Sequence, residues 1–563
     1  MGFAHLPRLR RTERVSAAMR LLIATSAFLP CVAMAQPVDN TALQAPGTAI
    51  PPPPDGLGLS TLVPPLGLSP PQEQSQALPQ SSKATTDAGR HGFWLEPRLT
   101  VRHTVTSNVR LDPTNTSDQI TELIPGFRLL SNTARIRGFA DYSLRSAHYW
   151  KNTTSDKFWH DLRANAVVEA VDNWLFVDLY GVVSLQPVSV FGSPGDFTPA
   201  NSNLAQTSTF AISPYVKGRI GSEMDYEARY SVRDTRTDAN NRAAVTVYDG
   251  LLHVGNRSPG QIVWWAVDAT QQTADFSPGR RIDTTALRGR LSYAVTPHLR
   301  MIGIGGVEST NQLSPNQQSH SITGFGGDWQ PSERTRLFFE RENRYFGESH
   351  NVDFEHRTSR TVWRYIDRRR IVNGLGAQSP SLGSLYDLLN GFYSRVESDP
   401  IQRAQLVQAE IDRRGLPANM QVFQDFLTSQ SILQRVQQLS FAILGQRSSV
   451  TMVVSRINSR QLGGLLNLGD DFGTNTQIRQ QGWNLILAHR LTVNSSVSAS
   501  LGDMRSVGSV PGVATRTRTY ILGWNTFVTG RTNVGIQVRR VLSDGSINQY
   551  DESDIMGFIT HRF

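Results

Sequence analysis

Charged residues at every second position are the part of this sequence that could do chemistry. In "ARIRGFADYSLRS", Arg135, Arg137, Asp141 and Arg145 fall on one side of an extended chain, and Ile136, Gly138, Ala140, Tyr142 and Leu144 on the other. In "MDYEARYSVRDT", Asp225, Glu227, Arg229 and Arg233 oppose Tyr226, Ala228, Tyr230 and Val232. The same rule selects Arg288, Arg290, Glu340, Glu342, Arg344 and Arg539. Such residues are expected to line a water-filled lumen. Their arginine excess would favour anionic solutes through the local potential. The plainer reading is that they pair with one another and fill the space.

Other chemistries find little support. No GxSxG occurs, and the 12 histidines are scattered, so no nucleophile and base are brought together by sequence. "GIGGVE" and "GFGGDW" are glycine-rich but lie inside strand patterns with no helix following, which argues against a phosphate loop. Asp470 and Asp471 in "GDDFGTN" suggest a cation or lipopolysaccharide contact, or simply a solvated acidic loop. The single cysteine, Cys31, excludes a disulfide framework and a cysteine metal site. No catalytic residue, metal site or cofactor is expected.

The elements that must hold these side chains are strands. From Phe93 onward, runs of about 10 to 13 residues alternate with period two and end in turns. A soluble sandwich also alternates, but its strands are usually shorter, about 5 to 6 residues, and it has no need of a charged face on strand after strand. A transmembrane antiparallel β-barrel explains both features. Its outer face must be apolar, its lumen can be charged, and closure leaves no unpaired edge. Short turns such as "SNTA", "TPH" and "VTGRT" alternate with long polar loops such as "QPVSVFGSPGDFTPANSNLAQ", as periplasmic turns and extracellular loops would. Trp94, Trp159, Trp174, Trp264, Trp265 and Trp329 sit near strand ends, where interfacial girdles lie.

The ends of the chain agree with export to an outer membrane. Residues 1–35 read as a signal peptide: five arginines, the apolar "LLIATSAFLPCVAMA", and a cleavage site between Ala35 and Gln36. Residues 36–90 are rich in Pro, Gln, Ser and Gly, a disordered periplasmic linker by composition. Loss of the leader's five arginines and Glu13 lowers the formal charge of +9 by four. That mild excess argues against nucleic acid. No run of 18 apolar residues follows the leader, which excludes a helical membrane protein. The last strand, "DIMGFITHRF", places Ile555, Ile559 and Phe563 on one side and resembles the C-terminal assembly signal of outer-membrane barrels.

Counting strands predicts about 22, with 20 as the alternative, because both chain termini on the periplasmic side require an even number. "NVDFEHRTSRTVWRY" reads as one strand running toward the periplasm, and so does "ILQRVQQLSFAIL". The missing strand between them is assigned to "NMQVFQDFLTSQ". Residues 380–418 are helical in pattern. Leu385, Leu388, Leu389 and Phe392 make an apolar stripe, and Asp399 caps a second helix that starts at Pro400 and ends before Gly415 and Pro417. This insert is expected on the periplasmic side or in the lumen, as a plug.

"TSNVRLDP", "ELIPGFRLL", "RYFGESHNVDFEHRTSRTVWR" and "DPIQRAQLVQAEIDRRGLP" resemble the outer-membrane protein family associated with PEP-CTERM/exosortase systems. The resemblance covers most of the chain after Phe93. It implies a Gram-negative outer-membrane barrel whose genes accompany exopolysaccharide and protein-sorting loci. It carries no catalytic residues. The partners it and the barrel reading imply are outer-membrane lipid and lipopolysaccharide, the barrel assembly machinery and exopolysaccharide export components. The expected function is a gated or plugged, porin-like conduit for polar or anionic solutes. The alternatives are a non-conducting structural or receptor barrel and an outer-membrane enzyme. A TonB-dependent transporter would need a folded plug domain ahead of the first strand, where only the Pro-rich segment stands.

Overall fold

Long period-two runs cannot bury their apolar side alone, so they pair edge to edge until the sheet meets itself. The computed structural model describes residues 92–563, apart from 152, 154–155, 194–199, 240–243, 257–261, 278, 374–388, 390–392, 394–396, 398–399, 415–425, 429, 464–469 and 547–548. The leader, its cleavage site and the Pro-rich segment lie outside the described residues.

The strands follow one another along the chain. They are β1 (Gly92–Thr106), β2 (Asp118–Asn132), β3 (Ile136–Tyr149), β4 (Lys157–Val171), β5 (Leu175–Pro187) and β6 (Leu204–Ile220). Next come β7 (Met224–Thr237), β8 (Ala244–Asn256), β9 (Val263–Ser277), β10 (Arg281–Thr296), β11 (Leu299–Thr310) and β12 (Gln318–Ser332). Then β13 (Thr335–Arg344), β14 (Gly347–Arg357), β15 (Thr361–Val372), β16 (Ile432–Leu444) and β17 (Ser448–Gln461). Last are β18 (Gln477–Arg490), β19 (Ser495–Gly508), β20 (Ala514–Phe527), β21 (Thr532–Gly545) and β22 (Tyr550–Arg562). Helices among the described residues include α1 (Pro400–Arg414) and α2 (Asp471–Thr474). All 22 strands form one antiparallel sheet, and β1 pairs with β22 from Arg98↔Arg562 to Thr106↔Asp554, closing a barrel. Ile555, Ile559 and Phe563 at that seam face outward and are exposed.

The strand count agrees with the sequence reading, but the missing strand lies elsewhere. "NVDFEHRTSRTVWRY" is two strands, β14 and β15, joined at residues 358–360. Thr358 makes the turn: its Oγ1 accepts from the Thr361 amide at 3.0 Å, and its own amide donates to the Thr361 carbonyl at 2.8 Å. β15 pairs directly with β16, so the barrel takes no strand between them; of the segment assigned to the missing strand, Phe426, Leu427 and Thr428 are irregular, and 419–425 and 429 lie outside the described residues. One barrel end therefore carries the short turns. The other carries the longer connections, including 107–117, 188–203, 462–476 and the insert between β15 and β16. The insert leaves from the long-loop end.

The two faces of the wall differ. Outward positions hold exposed apolar side chains on every side of the barrel, among them Val101, Phe127, Leu252, Leu291, Phe325, Met452 and Leu522. Inward positions are polar and more enclosed. The tryptophans do not act as one set: Trp174, Trp265 and Trp329 are exposed, whereas Trp264 is buried on the inner face beneath the Arg300 guanidinium, 4.4 Å away. Trp159 packs on an inner cluster with Val109, Ile120 and Tyr149.

The glycine-rich runs have a structural purpose. A Cβ at Gly306 would meet the Leu287 carbonyl, and one at Gly324 would lie 2.6 Å from the Arg341 carbonyl. Gly324→Val is expected to destabilise the barrel by about 1–3 kcal/mol through overpacking. The check is a lower denaturant midpoint for the heat-modifiable band of the refolded chain.

Candidate functional site: the charged wall and its closed end

Inward charges pair along the wall in five groups. On β1–β3, Arg98 and Arg128 both grip Asp141, the latter at 2.9 Å. Arg98 passes over Gly126, where a Cβ would come within 3.3 Å of its Nε. Glu122 accepts from Arg102 at 3.2 Å and lies 3.1 Å from Arg145. On β5–β9, Arg229 binds Asp178 at 2.6 Å and Glu227 at 2.8 Å, and its guanidinium stacks 3.9 Å from the Tyr215 ring. His253 meets Asp268 at 2.6 Å.

On β10–β13, Arg288 pairs with Glu342 at 3.2 Å and Arg290 with Glu340 at 3.4 Å. These side chains reach across β11 and β12, whose inward positions there include Gly306, Gly324 and Gly326. Arg344 joins Glu308 at 2.5 Å and Glu342 at 3.4 Å. In the adjoining turn, burial beside Glu308 pushes the Tyr345 phenol well above its ordinary range. On β12–β15, Arg336 binds Asp328 at 2.8 Å and Arg364 binds Asp353 at 3.0 Å. Near the seam, Arg539 holds Glu552 and Asp554, each at 2.6 Å, and all three are almost wholly buried.

Most of the sequence-selected residues thus share the inner face, and they meet partners on that face. Arg137 and Asp225 stand on it as well. Arg233 stands on it, buried, and among the described residues its Nε and Nη2 have no hydrogen-bond partner. Arg135 does not belong to the set. It lies in the turn before β3, largely exposed, 3.2 Å from Asp172 of the next turn. The polar run simply extends past the strand end there, and periodicity alone cannot see the boundary.

Sequence reasoning missed the contacts that tie the loops together at the long-loop end. The chain after β5 crosses the opening. Ser189 Oγ donates to Asp471 at 2.7 Å and the Val190 amide to its other oxygen at 2.8 Å, although β5 and β18 stand far apart around the ring. Thr515 on β20 donates to the Phe191 carbonyl at 3.1 Å, and Ser193 to the Leu111 carbonyl at 3.1 Å. Val190, Phe191, Phe426 and Phe472 bury together with Val372, Ile432 and Ile478. Leu427 packs into the inner wall of β6–β10 against Val245, Val247, Ala274 and Phe276, and its amide donates to Pro187 at 2.9 Å.

Asp470 and Asp471 are therefore not a solvated loop. Asp470 is buried and caps α2 by accepting from the Phe472 amide at 3.1 Å. Among the described residues no group of three His, Cys, Asp or Glu could hold a metal ion. At the rim, a hydrogen bond with His148 at 3.0 Å holds the Asp156 carboxyl below its usual range.

The helix bounds follow the sequence, from Pro400 to Arg414. Val407, Glu410 and Ile411 are buried, and α1 approaches β3 on one side of the seam and β18 and β19 on the other. A helix about 22 Å long thus bridges wall strands on both sides of the seam. Of the expected plug stripe, Leu389 is helical and half-buried. Leu385, Leu388 and Phe392 lie outside the described residues.

No protein-family model matches the chain, and no curated protein matches its sequence. Solved structures do align with it. The FrpB iron transporter of Neisseria meningitidis, in its apoprotein form, is 10% identical over 83% of this chain and 81% of its own, with a TM-score of 0.48. The siderophore receptor PirA of Pseudomonas aeruginosa is 10% identical over 84% and 81%, with a TM-score of 0.42. OprD of the same organism is 9% identical over 84% and 97%, with a TM-score of 0.32.

Proposed function

We propose that this chain is a gated outer-membrane barrel of a Gram-negative envelope, passing polar solutes through a charged lumen whose outer end is closed by its own loops. The observation that carries the reading is the opposition of faces in one closed sheet: exposed apolar side chains outside, paired charges inside. An apolar exterior this extensive suits lipid and not water. The periplasmic position of the short turns and of the Pro-rich linker belongs to the same reading. The pairing of wall arginines with carboxylates tempers the anion preference expected from composition, because a paired arginine contributes little to the potential along the axis. A link to exopolysaccharide export, and to exosortase-type sorting, rests on the family resemblance alone. We assign the barrel no enzymatic role.

The test is planar-bilayer conductance of the refolded chain beside a variant whose residues 188–193 are replaced by Gly and Ser. The expected result is a mostly closed channel that becomes several-fold more conductive in the variant, with weak ion selectivity. Silence in both proteins, with folding intact, would favour the structural or receptor barrel.

A further inference from the structure

The outer face of β15–β21 carries an arginine field that the conduit does not use. Toward the long-loop end, Arg369, Arg435, Asn458 and Arg479 stand side by side in register across β15–β18. The next outward row runs Asp367, Gln437, Arg456, Gln481, Arg505 and Arg516 across β15–β20. Arg460 continues the field above them and Arg518 and Arg540 extend it around the barrel. Four aspartates share this face, Asp367, Asp503, Asp544 and Asp551, and three of them are taken. Asp367 holds Arg435 at 2.7 Å, Asp503 holds Arg516 at 2.6 Å, and Asp551 holds Arg540 at 2.7 Å. Among the described residues, Arg456, Arg460 and Arg505 are exposed and make no ion pair, and Arg479 meets only Asn458, at 3.2 Å.

Immediately toward the short-turn end the same face becomes apolar: Leu439, Val454 and Trp483 stand in register, then Phe441, Met452, Leu485, Leu501 and Tyr520. The arginines therefore sit where an acyl layer would give way to headgroups. Among the described residues the other half of the barrel lacks this device. At the long-loop ends of β7 and β10, Arg236 is matched by Asp234 at 2.7 Å and Arg281 by Asp283 at 3.3 Å.

We propose that this outward arginine field binds the phosphate groups of a phosphorylated glycolipid of the outer leaflet, with its acyl chains laid against the apolar band below. Guanidinium groups offer paired donors that match phosphate oxygens, and a headgroup region excludes enough water to strengthen the contact. Arg456 and Arg505 are two strand spacings apart in one row, as are Arg435 and Arg479, roughly 10 Å in each case. That separation lets one glycolipid headgroup with a phosphate at either end of its sugars meet arginines from two strands. An acidic polysaccharide would match the charge but would leave the adjacent apolar band without an occupant.

The inference rests on the outer-membrane reading, and the test separates the two. Native mass spectrometry of the refolded full chain in detergent micelles is titrated with four probes: diphosphorylated lipid A, the same lipid dephosphorylated, phosphatidylethanolamine, and inorganic phosphate. The diphosphorylated lipid should be retained at least 10-fold better than the others. Combining R456Q, R479Q and R505Q should abolish that preference. The lysine triple at the same positions should keep part of it, and R236Q with R281Q should leave it unchanged. Heat-modifiability on gels confirms that each variant is folded. Equal retention of the dephosphorylated lipid, unchanged binding by the glutamine triple, or equal competition by an acidic polysaccharide without acyl chains would each overturn the proposal. Failure of the outer-membrane reading has a different signature: no acylated probe of any kind would be retained.

Discussion

Replacing Arg539 with methionine is expected to cost the barrel about 3–5 kcal/mol, the largest loss of any single wall substitution. Arg539 is 1% exposed and is the cation between Glu552 and Asp554, which are as deeply buried. Glu552 also accepts from Thr106 Oγ1 at 2.7 Å, so this group ties β21 to β22 and β22 to β1. Methionine fills similar space but leaves two carboxylates facing each other away from water. The unfolding midpoint of the refolded variant should fall sharply, and R539M/E552Q/D554N should recover much of the loss. If the triple variant is no more stable than R539M, the charge argument is wrong and the defect is one of packing.

Asp471→Ala is expected to open the long-loop end. Asp471 accepts both the Ser189 hydroxyl and the Val190 amide, and hydrogen bonds to a charged group contribute about 1.5–3 kcal/mol each. Losing both should shift a closed-to-open equilibrium by about 100-fold or more, read as a rise in open probability in planar bilayers. Cys31 is the single cysteine of the sequence, so S189C combined with D471C in a Cys31→Ser background offers the converse test. Oxidation should hold the channel shut and reduction should release it. Unchanged gating in D471A with a folded barrel would place the barrier elsewhere, with α1 the next candidate.

The barrel was legible because lipid-facing and lumen-facing residues alternate with a period that no helix shares. The total of 22 strands came out right for a partly mistaken reason. Thr358, Ser359, Arg360 and Thr361 are residues that strands accept, so the turn between β14 and β15 carries no Gly, Pro or Asn to announce it. A threonine hydroxyl supplies the turn instead. The missing strand was then sought in the insert, whereas the chain had already supplied it at that turn. The bounds of α1 were readable because Pro400 and Gly415 mark both ends locally. The loop contacts at the mouth were not readable. Ser189 and Asp471 are 282 positions apart, and "SVFGS" and "DDFGT" look like any polar loop until the ring brings them together. The wall pairs are likewise set by register, which alternation does not fix strand by strand.

The bare lane on β11 and β12 has a mechanical consequence. Gly303, Gly305 and Gly306 on one strand face Phe325, Thr323 and Ile322 on the next, and Gly324, Gly326 and Gly327 face Ile304, Ile302 and Met301. Along this line the wall loses side-chain thickness on both surfaces. Bending a sheet compresses the side chains on its concave face, and at Gly306, Gly324 and Gly326 these strands contribute none. The barrel is thus a shell of uneven stiffness, with a crease parallel to its strands. Deformation of the ring is expected to concentrate at that crease, where the Arg288–Glu342 and Arg290–Glu340 pairs span it.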